Sequence, residues 1–169
     1  MQPEKFIIIQ GSSNSHGNTR KIVDYILSKK EGHFVDLNTK NIGYFDYEHK
    51  NIDDDFLEVI DSVLECETII FATPVYWYAM SASMKTFIDR ISDLLKIRKD
   101  MGRMLRGKKM MVISCGSDST KFPSVSEPFK LSAEYLSMTY LGNVHTWVDA
   151  DSIPEVVQQS LDILISELK

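Results

Sequence analysis

Residues 6–19 read F-I-I-I-Q-G-S-S-N-S-H-G-N-T. Phe6 to Ile9 is a short, unbroken apolar run rich in β-branched residues, the pattern of a strand buried on both faces. Gly11 to Gly17 consists of turn formers. Ile22, Val23, Ile26 and Leu27 then recur at helical spacing. They predict a helix from Asn18 or Thr19, capped by Ser15 or Asn18 and ended by Gly32. A buried strand passing through a polar loop straight into an amphipathic helix is the opening unit of an α/β chain.

The same unit repeats downstream. Phe34–Leu37 predicts a second strand, followed by an irregular stretch from Asn38 to Asn51. Asp53, Asp54 and Asp55 then open a helix whose inner face is Phe56, Ile60, Val63 and Leu64, with acids favoured at the positive end of the helix dipole. Thr68–Thr73 is a third apolar strand. A long helix follows, carrying Met84, Phe87, Ile88, Ile91, Leu94 and Leu95. Met110–Ser114 makes a fourth strand. A helix around Ser126–Tyr140 is expected with Leu131, Tyr135 and Met138 inward. Gly142 is expected to turn the chain into a fifth strand, Val144–Val148. Pro154 suits the first turn of a last helix packed by Val157, Leu161, Leu164 and Leu168. Five strands alternating with five helices imply right-handed crossovers and one parallel sheet, with ligand loops at the carboxyl ends of strands.

Composition narrows the classes. The chain has 169 residues, 43% apolar and 25% charged, with eight Gly and five Pro. That excludes collagen-like and low-complexity scaffolds and fits a single domain over residues 1–169. No apolar run exceeds the six residues Val75–Met80, so none spans a bilayer, and Phe6–Ile9 is too short for a signal-peptide core. Cys66 and Cys115 are the only cysteines, too few for a disulfide framework or a cysteine-only metal site. Twenty-four acids against nineteen bases give a net charge of −5, which argues against general nucleic-acid binding. The expected class is a reduced, soluble, cytoplasmic protein.

Two loops carry chemistry. Gly11–Thr19 offers hydroxyls at Ser12, Ser13, Ser15 and Thr19 together with backbone N–H groups at a helix N-terminus, a cradle for a phosphate without a basic side chain. Five residues separate Gly11 and Gly17, and Asn18 stands where a nucleoside-triphosphate loop needs Lys, so that motif fails. The dinucleotide fingerprint G-x-G-x-x-G is absent as well. The second loop, Thr73-Pro74-Val75-Tyr76-Trp77-Tyr78, places three consecutive aromatics at a strand end. Their side chains diverge, so some must line a crevice or an interface. A phosphate cradle beside an aromatic wall describes one ligand with a phosphate tail and a flat ring, the shape of flavin mononucleotide (FMN).

Residues 73–90 read T-P-V-Y-W-Y-A-M-S-A-S-M-K-T-F-I-D-R. With the first loop, this segment resembles the flavodoxin-like NAD(P)H-dependent FMN reductases, including their quinone- and azo-reductase branch. The resemblance spans essentially the whole chain. It implies a three-layer α/β sandwich with sheet order 2-1-3-4-5. It implies that Ser12, Ser13, Ser15, Asn18 and Thr19 hold the FMN phosphate. Pro74, Val75, Tyr76 and Trp77 would border the isoalloxazine ring. Cys115, Gly116, Ser117 and Asp118 fall where the third flavin loop lies. It implies NADPH or NADH as donor, a small acceptor such as a quinone, azo compound or free flavin, and a homodimer or homotetramer. A related branch, the iron–sulfur flavoproteins, has a cysteine cluster between the second strand and second helix. Residues 41–51, N-I-G-Y-F-D-Y-E-H-K-N, hold no cysteine, which excludes that cluster.

Other readings are weaker. Cys115 follows a strand as a phosphatase nucleophile does, but C-x5-R requires Arg at position 121, which is Lys. Glu127, His145 and Asp149 have no metal-site spacing. Lys96–Lys109 contains seven bases against Asp100, and Asp46–Glu67 contains nine acids against Lys50. The basic run reads first as a solvated connection, and alternatively as a subunit contact or a site for the extra phosphate of NADPH. Hydride transfer to a flavin requires no side-chain acid or base, so no catalytic residue is assigned. A flavodoxin-type electron carrier is the alternative. Such carriers are strongly acidic around the flavin, and the basic run favours the reductase.

Overall fold

The computed structural model describes residues 5–168. Five strands, β1 (Phe6–Gln10), β2 (His33–Asp36), β3 (Thr68–Pro74), β4 (Lys109–Cys115) and β5 (Thr139–Thr146), form one sheet in the order β2-β1-β3-β4-β5. Every neighbouring pair is parallel. The flavodoxin-like order expected from the resemblance is therefore observed. The helices are α1 (Asn18–Lys29), α2 (Phe56–Leu64), α3 (Ala82–Lys96), α4 (Lys99–Met104), α5 (Pro123–Tyr135) and α6 (Glu155–Glu167).

Strand alternation builds two cores. Ile7, Ile9, Ile69, Phe71, Met110 and Val112 pack on one face with Phe56, Met84, Phe87 and Phe129. Phe6, Ile8, Ile70, Ala72, Met111 and Ile113 pack on the other with Ile22, Val23, Ile26, Leu161 and Leu164. Burying each such side chain stabilises the fold by roughly 1.5–3 kcal/mol.

Some expectations are corrected. The fifth helix begins at Pro123 and stops at Tyr135, because Ser137 adopts a left-handed φ of 57°. Its buried stripe is Val125, Phe129 and Ala133. Leu131 and Tyr135 point outward, 56% and 78% exposed, while Met138 is buried beyond the helix. The fifth strand starts at Thr139 rather than Val144. Gly142 does not precede it but sits inside it, at a register shift where Met110 pairs with Tyr140 and Met111 with Gly142. Its φ of +121° is one that only glycine adopts readily. The first helix starts at Asn18, but Gly17 is its N-cap and no side chain caps it. Cys66 lies just past α2, buried. Part of the basic run forms the short α4, and Lys108 turns inward to donate to the carbonyls of Leu64 and Cys66 at the end of α2.

Arg90 anchors the irregular stretch. It lies on the buried face of α3 at 1% exposure. Its guanidinium donates to the Asp54 carboxylate, to Asp93 at 2.7 Å, and to the carbonyls of Gly43 at 3.0 Å and Asn51 at 2.6 Å. Asp54 also accepts from the amides of Gly43 and Phe56. His49 Nδ1 lies 2.7 Å from the second Asp93 oxygen. Residues 43–54 are thus tied to α3 by Arg90 and, through His49, by Asp93. Burial pushes the Asp54 carboxyl upward, but the hydrogen bonds from Arg90, Gly43 and Phe56 outweigh it and hold the group below its ordinary 3.8.

Replacing Arg90 with Leu strands two buried carboxylates and is expected to cost about 3–5 kcal/mol in denaturant unfolding. The stability that Asp54 contributes is present above its unfolded value near 3.8 and lost as pH falls through the lower folded value. Acid unfolding of Asp54→Asn should therefore show a shallower pH dependence below pH 3.8 than the parent chain.

Candidate functional site

The carboxyl ends of β1, β3 and β4 lie side by side, and their loops are laced together. Gly11 N donates to Ala72 O at 2.9 Å, Val75 N to Cys115 O at 2.9 Å and Gly116 N to Thr146 O at 2.9 Å. Ser81, the N-cap of α3, accepts from Met84 N and donates to Gly11 O at 2.6 Å. The order β2-β1-β3 reverses direction at β1, which makes this edge the switch point of the sheet.

The first loop folds around its own side chains. Ser12 Oγ accepts from Asn14 N at 3.2 Å, and Asn14 Oδ1 accepts from His16 N at 3.0 Å. Ser15 Oγ accepts from Asn38 Nδ2 at 3.0 Å. This arrangement leaves the amides of Ser12, Ser13, Ser15, Asn18, Thr19 and Arg20 without a hydrogen-bond partner among the described residues. A row of unpaired amides at a helix N-terminus attracts an anion. Beneath them, Gln10 is fully buried and its Oε1 has no partner among the described residues. The donor set fits a phosphate ester with a polar tail, and His16 stands exposed at the rim.

The second loop is a two-residue turn. Tyr76 and Ala79 exchange backbone hydrogen bonds at 3.0 and 3.1 Å, and Trp77 and Tyr78 have φ of 47° and 65°. Two successive left-handed residues usually call for Asn-Gly. Holding Trp and Tyr there costs about 1–3 kcal/mol each and projects both rings outward. Trp77 is 91% exposed. Tyr76 Oη meets Ser13 Oγ at 2.9 Å, joining the aromatic turn to the first loop. Tyr78 rests edge-on against Phe122 at 5.1 Å, and its carbonyl accepts from Ser124 Oγ. Pro74 closes β3, buried, with Val75 half-buried beside it.

The third loop begins at Cys115, whose thiol is buried. Burial pushes that thiol up, while hydrogen bonds to Thr146 and Thr19 pull the other way. Such a thiol is a packed link between loops rather than a nucleophile. Gly116 is half-buried, and Ser117 and Asp118 are exposed. Asp118 bonds the hydroxyl and amide of Thr120, which hold its carboxyl low.

All thirteen site residues expected from the sequence fall on these three loops or on the element ends that bound them, Asn18 and Thr19 opening α1, Pro74 closing β3 and Cys115 closing β4. Ser81 and Gln10 are not among the expected site residues, and His145 is considered there only as a metal ligand. Ser81 carried a legible signal, a Ser directly before a helical apolar pattern. A cavity of about 530 Å³ lies along the edge of β2 and reaches the first loop at Ser15 and His16. Unpaired amides and exposed rings instead mark the open strand ends, where a flat ligand needs a wall rather than an enclosed pocket. Among the described residues, no group of three or more His, Cys, Asp or Glu could hold a metal ion. No helix among them is long and apolar enough to cross a membrane.

Comparison with known proteins agrees with this geometry. Residues 5–152 match the model of a family described as NADPH-dependent FMN reductase. A Bacillus subtilis (strain 168) protein, YwqN, provisionally described as an NAD(P)H-dependent FMN-containing oxidoreductase, is 29% identical over 150 residues, 83% of each chain. The structure of a Trp repressor binding protein from Bacillus subtilis superposes with a TM-score of 0.75 at 26% identity, covering 98% of each chain. An FMN-dependent NADH-azoreductase from Bacillus anthracis, solved with FMN, shares the fold with a TM-score of 0.68 at 11% identity, covering 97% of this chain and 99% of that one. The chain belongs to the NADPH-dependent FMN reductase family, with FMN as its cofactor and NADPH or NADH as its electron donor.

Proposed function

We propose that this chain reduces a small, flat acceptor such as a quinone, an azo compound or free flavin, using FMN held across the three loops. One observation carries the reading: unpaired amides at the α1 N-terminus and the exposed Tyr76–Tyr78 turn lie on adjacent strand ends joined by the Ser13–Tyr76 contact. The azoreductase activity named for the Bacillus anthracis neighbour supports an acceptor of this class.

When bound, FMN would supply the hydride chemistry between nicotinamide and acceptor. The chain's own residues bind and orient. The amides of Ser12, Ser13, Ser15, Asn18 and Thr19 face the phosphate, with the Ser12, Ser13, Ser15 and Thr19 hydroxyls beside them. The asparagine side chain at position 18 adds a donor at the mouth. Pro74, Val75, Tyr76 and Trp77 would wall one edge of the bound ring, and Cys115, Gly116, Ser117 and Asp118 the other. Trp77 and Tyr78, held out by the turn, set which acceptors can lie flat on the open face. We also propose a homodimer or homotetramer. The exposed Trp77, and Leu131 and Tyr135 on α5, are large apolar side chains that a second copy would cover.

Three outcomes check this reading. FMN-loaded protein mixed with NADPH or NADH without oxygen should bleach within seconds and recover its colour on adding a quinone. A chain that stays yellow under both nicotinamides is a carrier, not a reductase. Ser12→Ala combined with Thr19→Ala should weaken FMN binding by about 2–4 kcal/mol, two charge-assisted hydrogen bonds' worth, by fluorescence titration. An unchanged titration removes the phosphate from this loop. Sedimentation at micromolar concentration should give a dimer or larger, and a monomer there contradicts the oligomer.

A further inference from the structure

The third loop is Gly-Ser-Asp-Ser-Thr, with no apolar side chain to anchor it. Its path is fixed from below by His145 on β5. The imidazole is 6% exposed, and both nitrogens are engaged. Nε2 lies 2.9 Å from the Asp118 carbonyl oxygen, and Nδ1 lies 2.9 Å from Ser114 Oγ. A carbonyl only accepts, so Nε2 carries the hydrogen, and in the neutral ring Nδ1 shares the one Ser114 hydroxyl hydrogen with Asn143 Oδ1, which lies 3.3 Å from the same oxygen. Trp147 stacks on the same imidazole at 6.3 Å between centroids.

The ring also explains a glycine. A Cβ on Gly116 would stand 2.9 Å from His145 Cε1 and 3.2 Å from Nε2. The backbone there is not left-handed, so conformation alone does not demand glycine at 116. The imidazole edge does. Gly116 N is already bonded to Thr146 O. The amides of Ser117 and Asp118 have no partner among the described residues, and they are the donors this loop offers upward.

We propose that His145 is a positioning residue for the cofactor. Its imidazole and Gly116 form an interlocked pair that sets where the Ser117 and Asp118 amides stand against the flavin ring. This rests on the FMN placement proposed above. His145 touches the loop, and acts on the cofactor only through it.

A double-mutant cycle on FMN dissociation, with folding checked by circular dichroism, separates this role from general destabilisation. In Gly116→Ala the new methyl displaces the ring, and in His145→Ala the ring is gone. Each should raise the FMN Kd by on the order of tenfold. The double substitution should be no worse than His145→Ala alone, because the methyl then meets empty space. His145→Gln, whose amide N–H can still reach the Asp118 carbonyl, should restore binding to within about threefold of the parent. Multiplying effects in the double variant, or an unchanged Kd in His145→Ala, overturns the proposal. A cofactor-free readout keeps the test independent: in Gly116→Ala alone, the His145 Nε2–H proton should lose its protection from exchange in NMR spectra. Retained protection overturns the interlock. If the parent chain fails to bind FMN, the functional reading falls, and this NMR result still decides whether Gly116 and His145 interlock.

Discussion

Parallel pairing of β1, β3 and β4 is the constraint on which the rest depends. All three strands are buried on both faces; β3 and β4 end level, Pro74 beside Cys115, and β1 ends at Gln10 beside Ala72, two residues short of the end of β3. Three loops must therefore leave the sheet together on one edge. The first amide of each is consumed by the adjoining strand, which stitches the loops in series. Beyond that stitch the first and third loops turn away, and the next amides, Ser12 and Ser13 in one and Ser117 and Asp118 in the other, have no partner among the described residues. A buried parallel sheet thus generates a line of hydrogen-bond donors at its carboxyl edge, and a cofactor with phosphate and ring acceptors is complementary to it.

Rigid devices hold that edge open. Ser81 ties the start of α3 to Gly11, Tyr76 meets Ser13, and His145 supports Asp118. Arg90 likewise fixes the irregular stretch 43–54 to α3. The strained Trp77–Tyr78 turn persists because Tyr78 is fixed by Phe122 and Ser124. Local cost is tolerated where the surroundings over-determine the geometry. In return, two aromatic rings stand in solvent beside the carboxyl ends of the strands rather than collapsing onto the core.

Much of this was legible in the sequence. The runs at Phe6–Ile9 and Thr68–Thr73 have no polar side, so they read as buried strands, and the polar loop after the first could only face outward. The aromatic triplet at Tyr76–Tyr78 announced itself by its position. Less legible were features that depend on distant partners. Asp54 read as a helix-dipole acid, yet its partner Arg90 lies 36 residues away in sequence. His145 read only as a metal ligand set aside on spacing, because its partners, Ser114 and Asp118, sit on another strand and its loop. The α5 region misled for a local reason. Leu131, Tyr135 and Met138 have helical spacing, but Val125, Phe129 and Ala133 have it too, and spacing alone does not choose between stripes. The bulge at Gly142 hid the first half of β5, since a glycine there imitates a turn.

The central claim is that a phosphate is held by backbone amides at the α1 N-terminus without a basic side chain. Parallel fluorescence titrations of the purified protein with FMN and with riboflavin test it most directly, because the two ligands differ only in the phosphate. The account predicts that FMN binds at least about a hundredfold more tightly than riboflavin, the equivalent of two or more charge-assisted hydrogen bonds. Equal affinities for the two would contradict it.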